Sequence, residues 1–114
     1  MSVIEKLMQM EPQDVGISTI VVSELAYGVA KSQRVRSNSE RLKEFLAPFK
    51  LIPYDLAAAQ TYGSIRAELE KTGDLIGRED LLIAAHALSA NLTLVTNNEK
   101  EFNRIPNLKL ENWT

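Results

Sequence analysis

Acidic side chains stand near the ends of predicted strands and at the starts of predicted helices. Glu24 follows the run Asp14–Ser18, and Asp80 opens an apolar helical stretch. Glu101 follows a further β-like run, Thr93–Thr96. Carboxylate oxygens are the ligands that a hard divalent cation such as Mg²⁺ prefers, and such a cation can supply a hydroxide and neutralise a phosphate. The pattern therefore indicates metal-assisted hydrolysis, with Glu24 and Asp80 as metal ligands.

Each of these acids also has a purely structural interpretation. A carboxylate near the start of a helix interacts favourably with the helix dipole whatever the protein does, which applies to Glu24 and Asp80. Glu101 fits an exposed helix position equally well. The single histidine, His86, lies in an apolar helical stretch. A buried core histidine is the better interpretation there, so we leave His86 out of the candidate site.

Short β-like runs alternate with longer helical patterns along the chain, which predicts βαβ units, an α/β fold and a parallel sheet. In such sheets ligands bind beyond the carboxyl ends of the strands. The predicted strands are Asp14–Ser18, Leu51–Tyr54, Thr93–Thr96 and Leu108–Glu111. The predicted helices cover Met1–Met10, Thr19–Ser32, a stretch capped by Asn38 that ends near Pro48, a stretch from Asp55 to Gly73, Glu79–Ala90 and Asn98–Phe102.

Local residue types predict how individual helices begin and which side of them is buried. Ser18 or Thr19 is the expected N-cap of the helix that carries Glu24, and Asp55 is the expected N-cap of the long helix. In the Glu24 helix, the apolar spacing predicts that three residues face inward. These are Ile20, Leu25 and Val29.

Composition limits the classes of protein to which the chain can belong. The 114 residues are 45% hydrophobic and 25% charged, which is typical of one globular domain and excludes a coiled coil or a disordered tail. The sequence lacks cysteine, a transmembrane-length apolar run and a signal-peptide pattern. We therefore expect a single domain over residues 1–114 that is cytoplasmic and does not enter membranes.

Charge is unevenly distributed although the net charge is only −2. Residues 31–50 contain six Lys and Arg side chains against two Glu side chains. Lys31, Arg34 and Arg36 follow the Glu24 helix, and we expect them to contact phosphates at the rim of an acidic cleft. The alternative is an ordinary run of solvated charges.

Four motifs in order resemble the PIN-domain ribonuclease toxins of the VapC family. They are S-E-L-A-Y-G, G-x-x-D-x-x-I-A-A-H-A, V-T-N-N-x-x-E-F and E-N-W. The resemblance implies an endoribonuclease toxin that depends on Mg²⁺ or Mn²⁺ and cleaves structured RNA, with initiator tRNA as the candidate substrate. It also implies a VapB-type antitoxin as partner.

The resemblance assigns the catalytic acids residue by residue. Glu24 and Asp80 match the family's first two motifs. In the third motif Asn98 stands where many members have Asp, so Glu101 is the nearest carboxylate that can assist. The implied work of these residues is to hold the metal and to orient water for attack on a phosphodiester.

One feature of the family has no counterpart in this sequence. PIN proteins begin with an apolar strand ending in Asp-Thr-Asn, whereas Met1–Met10 here matches the helix that follows that strand. The strand would lie in the centre of the sheet, so we expect an open slot that favours a homodimer, and weak cleavage by this chain alone. The alternative is a non-cleaving remnant that dimerises or binds an antitoxin or RNA.

Overall fold

A computed structural model describes residues 16–95 and 99–111. Strands and helices alternate along these residues as predicted. They are β1 (Gly16–Ser18), α1 (Thr19–Ala30), α2 (Val35–Leu46), β2 (Lys50–Ile52), α3 (Leu56–Thr72), α4 (Arg78–Ser89), β3 (Leu94–Val95), α5 (Glu99–Phe102) and β4 (Leu110–Glu111). The predicted helix over Met1–Met10 lies outside the described residues. So do Asn98 and the E-N-W motif, apart from Glu111.

The chain groups into two compact units. The described part of the first, called here the N-terminal unit, is residues 16–53, and that of the second, the C-terminal unit, is residues 54–95 and 99–111. β1 pairs with β2, and β3 pairs with β4, both in parallel. The parallel pairing expected for βαβ units is therefore confirmed in each unit.

In the N-terminal unit, α1 begins where the sequence predicts. The Ser18 hydroxyl accepts a hydrogen bond from the Ile20 backbone N–H at 3.1 Å, so Ser18 is the N-cap. Ile20 and Val29 are half-buried. The expectation that Leu25 faces inward is wrong, because 38% of this residue is exposed.

The start of α2 differs from the prediction. α2 begins at Val35, so Asn38 lies inside the helix and its backbone N–H donates to the Arg34 carbonyl at 2.9 Å. The Asn38 side chain does not cap the helix. Its amide donates instead to the Ser32 hydroxyl at 3.0 Å, which ties α2 back to the turn after α1.

In the C-terminal unit, α3 has the ends that its sequence predicts. The Asp55 carboxylate accepts from the Ala58 N–H at 3.0 Å, and Gly73 ends the helix in the left-handed region at φ 74°. α3 and α4 pack against each other around a hydrophobic core. The buried members of this core are Ile65, Leu69, Ile76, Leu81, Ala84, Ala85, Phe102 and Ile105.

His86 is only 4% exposed on α4, and its ring meets the edge of Tyr54 with 5.5 Å between the ring centroids. Its interpretation as a buried core residue is therefore confirmed. Across the described ranges, 16–95 and 99–111, the helices are too short or too polar to cross a membrane.

Candidate active site

Asp80 lies in the first turn of α4, as the sequence predicts. The helix begins after Gly77, which offers no capping side chain. Glu79 and Asp80 place negative charge in this first turn, where the helix dipole favours it. An open cleft beside the turn is lined by Gly77, Arg78, Glu79 and Asp80. Asp80 is half-buried, so its carboxyl group is partly withdrawn from water while it borders this cleft.

The carboxyl groups of Asp80 and Glu101 come together at this point. Burial is the largest of the influences that raise the pKa of Asp80 above its ordinary value. The negative charge of Glu101 and a hydrogen bond between the two side chains raise it further, and Glu79 adds a smaller contribution. Two adjacent carboxylates repel each other when both are ionised, so a proton or a cation between them is favourable.

Glu101 is positioned by the backbone of the loop before α4. Its Oε1 atom accepts a hydrogen bond from the Gly77 N–H at 3.2 Å. Three residues further on, Arg104 Nη1 donates to the Leu75 carbonyl at 3.4 Å. α5 and the turn after it therefore contact the loop before α4 at two points. Both points lie close in sequence to Asp80, which is in the first turn of α4.

The Asp80–Glu101 pair fits one side of a magnesium site. Both residues offer oxygen donors only, and a divalent cation between them would neutralise the repulsion of two ionised carboxylates. Among residues 16–95 and 99–111, no group of three or more His, Cys, Asp and Glu side chains is arranged to hold a metal ion. The pair thus provides a partial donor set, of the kind that Mg²⁺ completes with water and substrate phosphate.

The other candidate site residues, Glu24 and Asn98, lie outside the described part of the C-terminal unit. Glu24 is exposed on α1 of the N-terminal unit. Asn98 falls between the two described ranges. The predicted approach of Glu24 to Asp80, and the choice between Asn98 and Glu101 in the last motif, therefore stay predictions.

The three basic residues expected to meet phosphates are all exposed in the N-terminal unit. Lys31 caps the end of α1, and its ammonium nitrogen lies over the Tyr27 ring, 4.8 Å from the ring centroid. Arg34 and Arg36 flank the start of α2. They line an open cavity together with Gln33, Val35, Ser37 and Glu40.

Gly77 and Arg104 contribute to this site through hydrogen bonds that the sequence does not predict. Gly77 acts through its backbone N–H, which no residue type reveals. Arg104 had a weak signal, because it follows Glu101 at a spacing that places both side chains on one side of a helical turn. Its partner, the Leu75 carbonyl, is 29 residues away and becomes visible only in the folded chain.

Comparison with known proteins places these residues in a family. Residues 2–108 match the PIN domain. Ribonuclease VapC2 of Rickettsia felis is 52% identical over 99 residues, which are 87% of this chain and 74% of that protein. The chain belongs to the VapC family of PIN-domain ribonucleases. The resemblance carried by the four motifs is thereby confirmed.

Two further VapC proteins support the assignment. The tRNA(fMet)-specific endonuclease VapC of Shigella flexneri is 42% identical over 98 residues, 86% of this chain and 74% of that protein. The crystal structure of VapBC2 from R. felis bound to a DNA fragment from their promoter matches with a TM-score of 0.82 and 52% identity. The match covers 87% of this chain and 74% of that one. The predicted PIN-like α/β fold is thus confirmed for this VapC-family chain.

Proposed function

We propose that this VapC-family chain is a Mg²⁺- or Mn²⁺-dependent endoribonuclease toxin that hydrolyses phosphodiester bonds in structured RNA. The observation that carries the proposal is the contact between the Asp80 and Glu101 carboxyl groups beside the open cleft at the start of α4. Initiator tRNA is the proposed substrate, because the S. flexneri relative is named as specific for tRNA(fMet).

Asp80 and Glu101 are the proposed metal-binding carboxylates of the C-terminal unit. A bound divalent cation would supply charge neutralisation for the phosphate and a water of lowered pKa. The protein's own contribution is to fix the two carboxylates: the Gly77 N–H orients Glu101, and the first turn of α4 holds Asp80. Glu24 completes the acidic set on the resemblance, with Asn98 as the other polar candidate.

Partners form a second part of the proposal. A VapB-type antitoxin is the proposed neutralising partner, and the match to the VapBC2 structure supports it. Lys31, Arg34 and Arg36 are proposed to contact RNA phosphates, since all three are exposed. A homodimer remains expected, and light scattering of the purified chain measures it.

Cleavage of transcribed initiator tRNA tests the proposed activity. Product formation is followed with Mg²⁺, with Mn²⁺ and with EDTA for the wild type and for Asp80→Asn, Glu101→Gln and Glu24→Gln. We expect metal-dependent cleavage by the wild type that each substitution lowers at least about 100-fold, as is usual when an electrostatic group of the transition state is lost. The wild-type rate also measures whether the 114-residue chain cleaves weakly, as expected.

A matched control is Glu68→Gln, which removes the same charge from an exposed site on α3, where the carboxylate pairs with Lys71 at 3.8 Å. It should cleave at the wild-type rate. Mn²⁺ binding, measured by calorimetry, provides a readout that does not depend on turnover. Cleavage that persists in EDTA, or that survives Asp80→Asn, would contradict the proposed mechanism.

A further inference from the structure

An acidic, an aromatic and a basic side chain lie along one face of helix α1. Glu24, Tyr27 and Lys31 are separated by three and four residues, which is the spacing of neighbours on one helix face. With a rise of about 1.5 Å per residue, Tyr27 lies about 4.5 Å beyond Glu24 along the helix axis, and Lys31 about 6 Å beyond Tyr27. All three residues are exposed. The stripe therefore runs from an acid proposed for catalysis, through an aromatic ring, to a cation.

Tyr27 is more exposed to solvent than the other two tyrosines of the chain. Tyr27 is 66% exposed, whereas Tyr54 and Tyr62 are half-buried in the C-terminal unit. A single exposed aromatic residue needs no function. What distinguishes Tyr27 is the Lys31 ammonium held over its ring at 4.8 Å from the centroid, an arrangement that couples an aromatic surface to a positive charge.

The surroundings of this stripe carry positive charge. Arg34 and Arg36 follow Lys31 within five residues and line the cavity at the start of α2. A basic groove combined with an aromatic ring is the arrangement by which proteins bind single-stranded nucleic acid, because the cations follow the phosphates while the ring stacks on a base. Paired bases are already stacked inside a helix, so the ring selects unpaired ones.

We propose that Tyr27 and Lys31 form a stacking platform for an unpaired RNA base, with Tyr27 against the base and Lys31 on the adjoining phosphate. This inference rests on the proposed ribonuclease function and deepens it, because it names the residues of α1 that would contact an unpaired base of the substrate. The platform lies one helical turn from Glu24 on the same face, so it would hold the looped-out nucleotide beside that acid.

Binding in EDTA tests the platform without any cleavage. The probe is a fluorescein-labelled RNA hairpin with an unpaired loop, compared with a fully paired duplex of the same stem, and fluorescence anisotropy gives the affinity of the full chain. We expect Tyr27→Ala to weaken hairpin binding about tenfold, Tyr27→Phe to retain it, and neither to change duplex binding. Lys31→Gln should lower the salt dependence of hairpin binding by about 0.7 in log–log slope.

Leu56→Ala is the matched control, since Leu56 is 73% exposed but lies on α3, outside the N-terminal unit. Circular dichroism confirms that each variant is folded. Equal hairpin affinity for Tyr27→Ala and wild type would overturn the platform while leaving the nuclease proposal standing. A second result would also overturn the platform. If Tyr27→Ala kept its hairpin affinity but lost binding to a purified antitoxin, Tyr27 would belong to a protein interface.

Discussion

Asp80 and Glu101 lie close enough together for the Glu101 carboxyl group to raise the pKa of Asp80, through its negative charge and through hydrogen bonding. They are 21 positions apart in the sequence and belong to different helices, α4 and α5, so the contact depends on how the C-terminal unit packs. The Gly77 N–H donates a hydrogen bond to Glu101 Oε1 at 3.2 Å. An arrangement that keeps two carboxyl groups adjacent is costly in stability at neutral pH unless a proton or a cation lies between them.

The first prediction concerns the pH dependence of stability in EDTA. The pKa of Asp80 is raised in the folded chain, so the folded state binds more protons than the unfolded state above pH 3.8. Stability therefore falls as the pH rises from the unfolded pKa through the folded one, and the full penalty is present at neutral pH. We expect Asp80→Asn to melt at a higher temperature than the wild type at pH 7.5, because an amide can donate to Glu101 without charge.

The difference in melting temperature should shrink below about pH 3.8, where the wild-type carboxyl is protonated in both states. Circular dichroism melting curves across the pH range measure it, with Glu68→Gln as a control for the loss of one negative charge. A lower melting temperature for Asp80→Asn at pH 7.5 would show that the ionised carboxylate stabilises the fold, contrary to the cause assigned here.

The second prediction is that Mn²⁺ reverses the loss of stability that the two adjacent carboxylates cause at neutral pH. A ligand that binds only the folded state stabilises it, by about 2.7 kcal/mol at a concentration 100-fold above its dissociation constant. Mn²⁺ should therefore raise the melting temperature of the wild type, and EDTA should restore the original value. Asp80→Asn and Glu101→Gln should show little or no rise. An equal rise in all three proteins would place the metal elsewhere on the chain.

The third prediction compares two glycines that differ in their surroundings. Gly63 lies inside α3, and a Cβ added there meets no atom within 4 Å. Gly63→Ala should therefore raise the free energy of unfolding by about 1 kcal/mol, because alanine restricts the unfolded chain and favours the helix. Gly16 lies in β1, where an added Cβ would collide with Ile52 Cδ1.

Gly16→Ala should accordingly lower the free energy of unfolding by about 1 kcal/mol, the lower end of the cost of overpacking, since the end of the Ile52 side chain can turn aside. Urea denaturation of both variants measures the two changes. If Gly16→Ala were as stable as wild type, the close packing of β1 against the Ile52 side chain would be refuted.

Local sequence signals predicted much of this fold, and contacts between distant residues account for what they missed. Ser18 and Asp55 were identified as caps because a cap hydrogen bond spans only two or three residues. Asn38 has the same capping chemistry, but its amide reaches six residues back to Ser32, which no local rule anticipates. Glu101 is predicted from its position after a strand, and Asp80 from its position at the start of an apolar helix. Their mutual contact is not predicted, because it requires α5 to pack beside the start of α4.

The last prediction concerns Arg104, which we expect to act as a positioning residue for the acid pair. Its guanidinium donates to the Leu75 carbonyl at 3.4 Å and so helps to hold the loop whose Gly77 N–H binds Glu101. Arg104→Gln should weaken Mn²⁺ binding about threefold, which is the size of effect that one exposed hydrogen bond of modest net strength supports. Arg104→Lys keeps a donor and a positive charge, and should recover part of the loss.

Calorimetric titration with Mn²⁺ separates positioning from general stability. Arg66→Gln is the matched control, because Arg66 bonds Glu70 and Tyr62 within α3 and its loss should leave Mn²⁺ affinity unchanged. Arg104→Gln should reduce Mn²⁺ affinity at a temperature where melting curves show it fully folded. If its melting temperature fell while its Mn²⁺ affinity matched the wild type, Arg104 would stabilise the loop without positioning the carboxylates, because the Gly77–Glu101 hydrogen bond alone would then suffice.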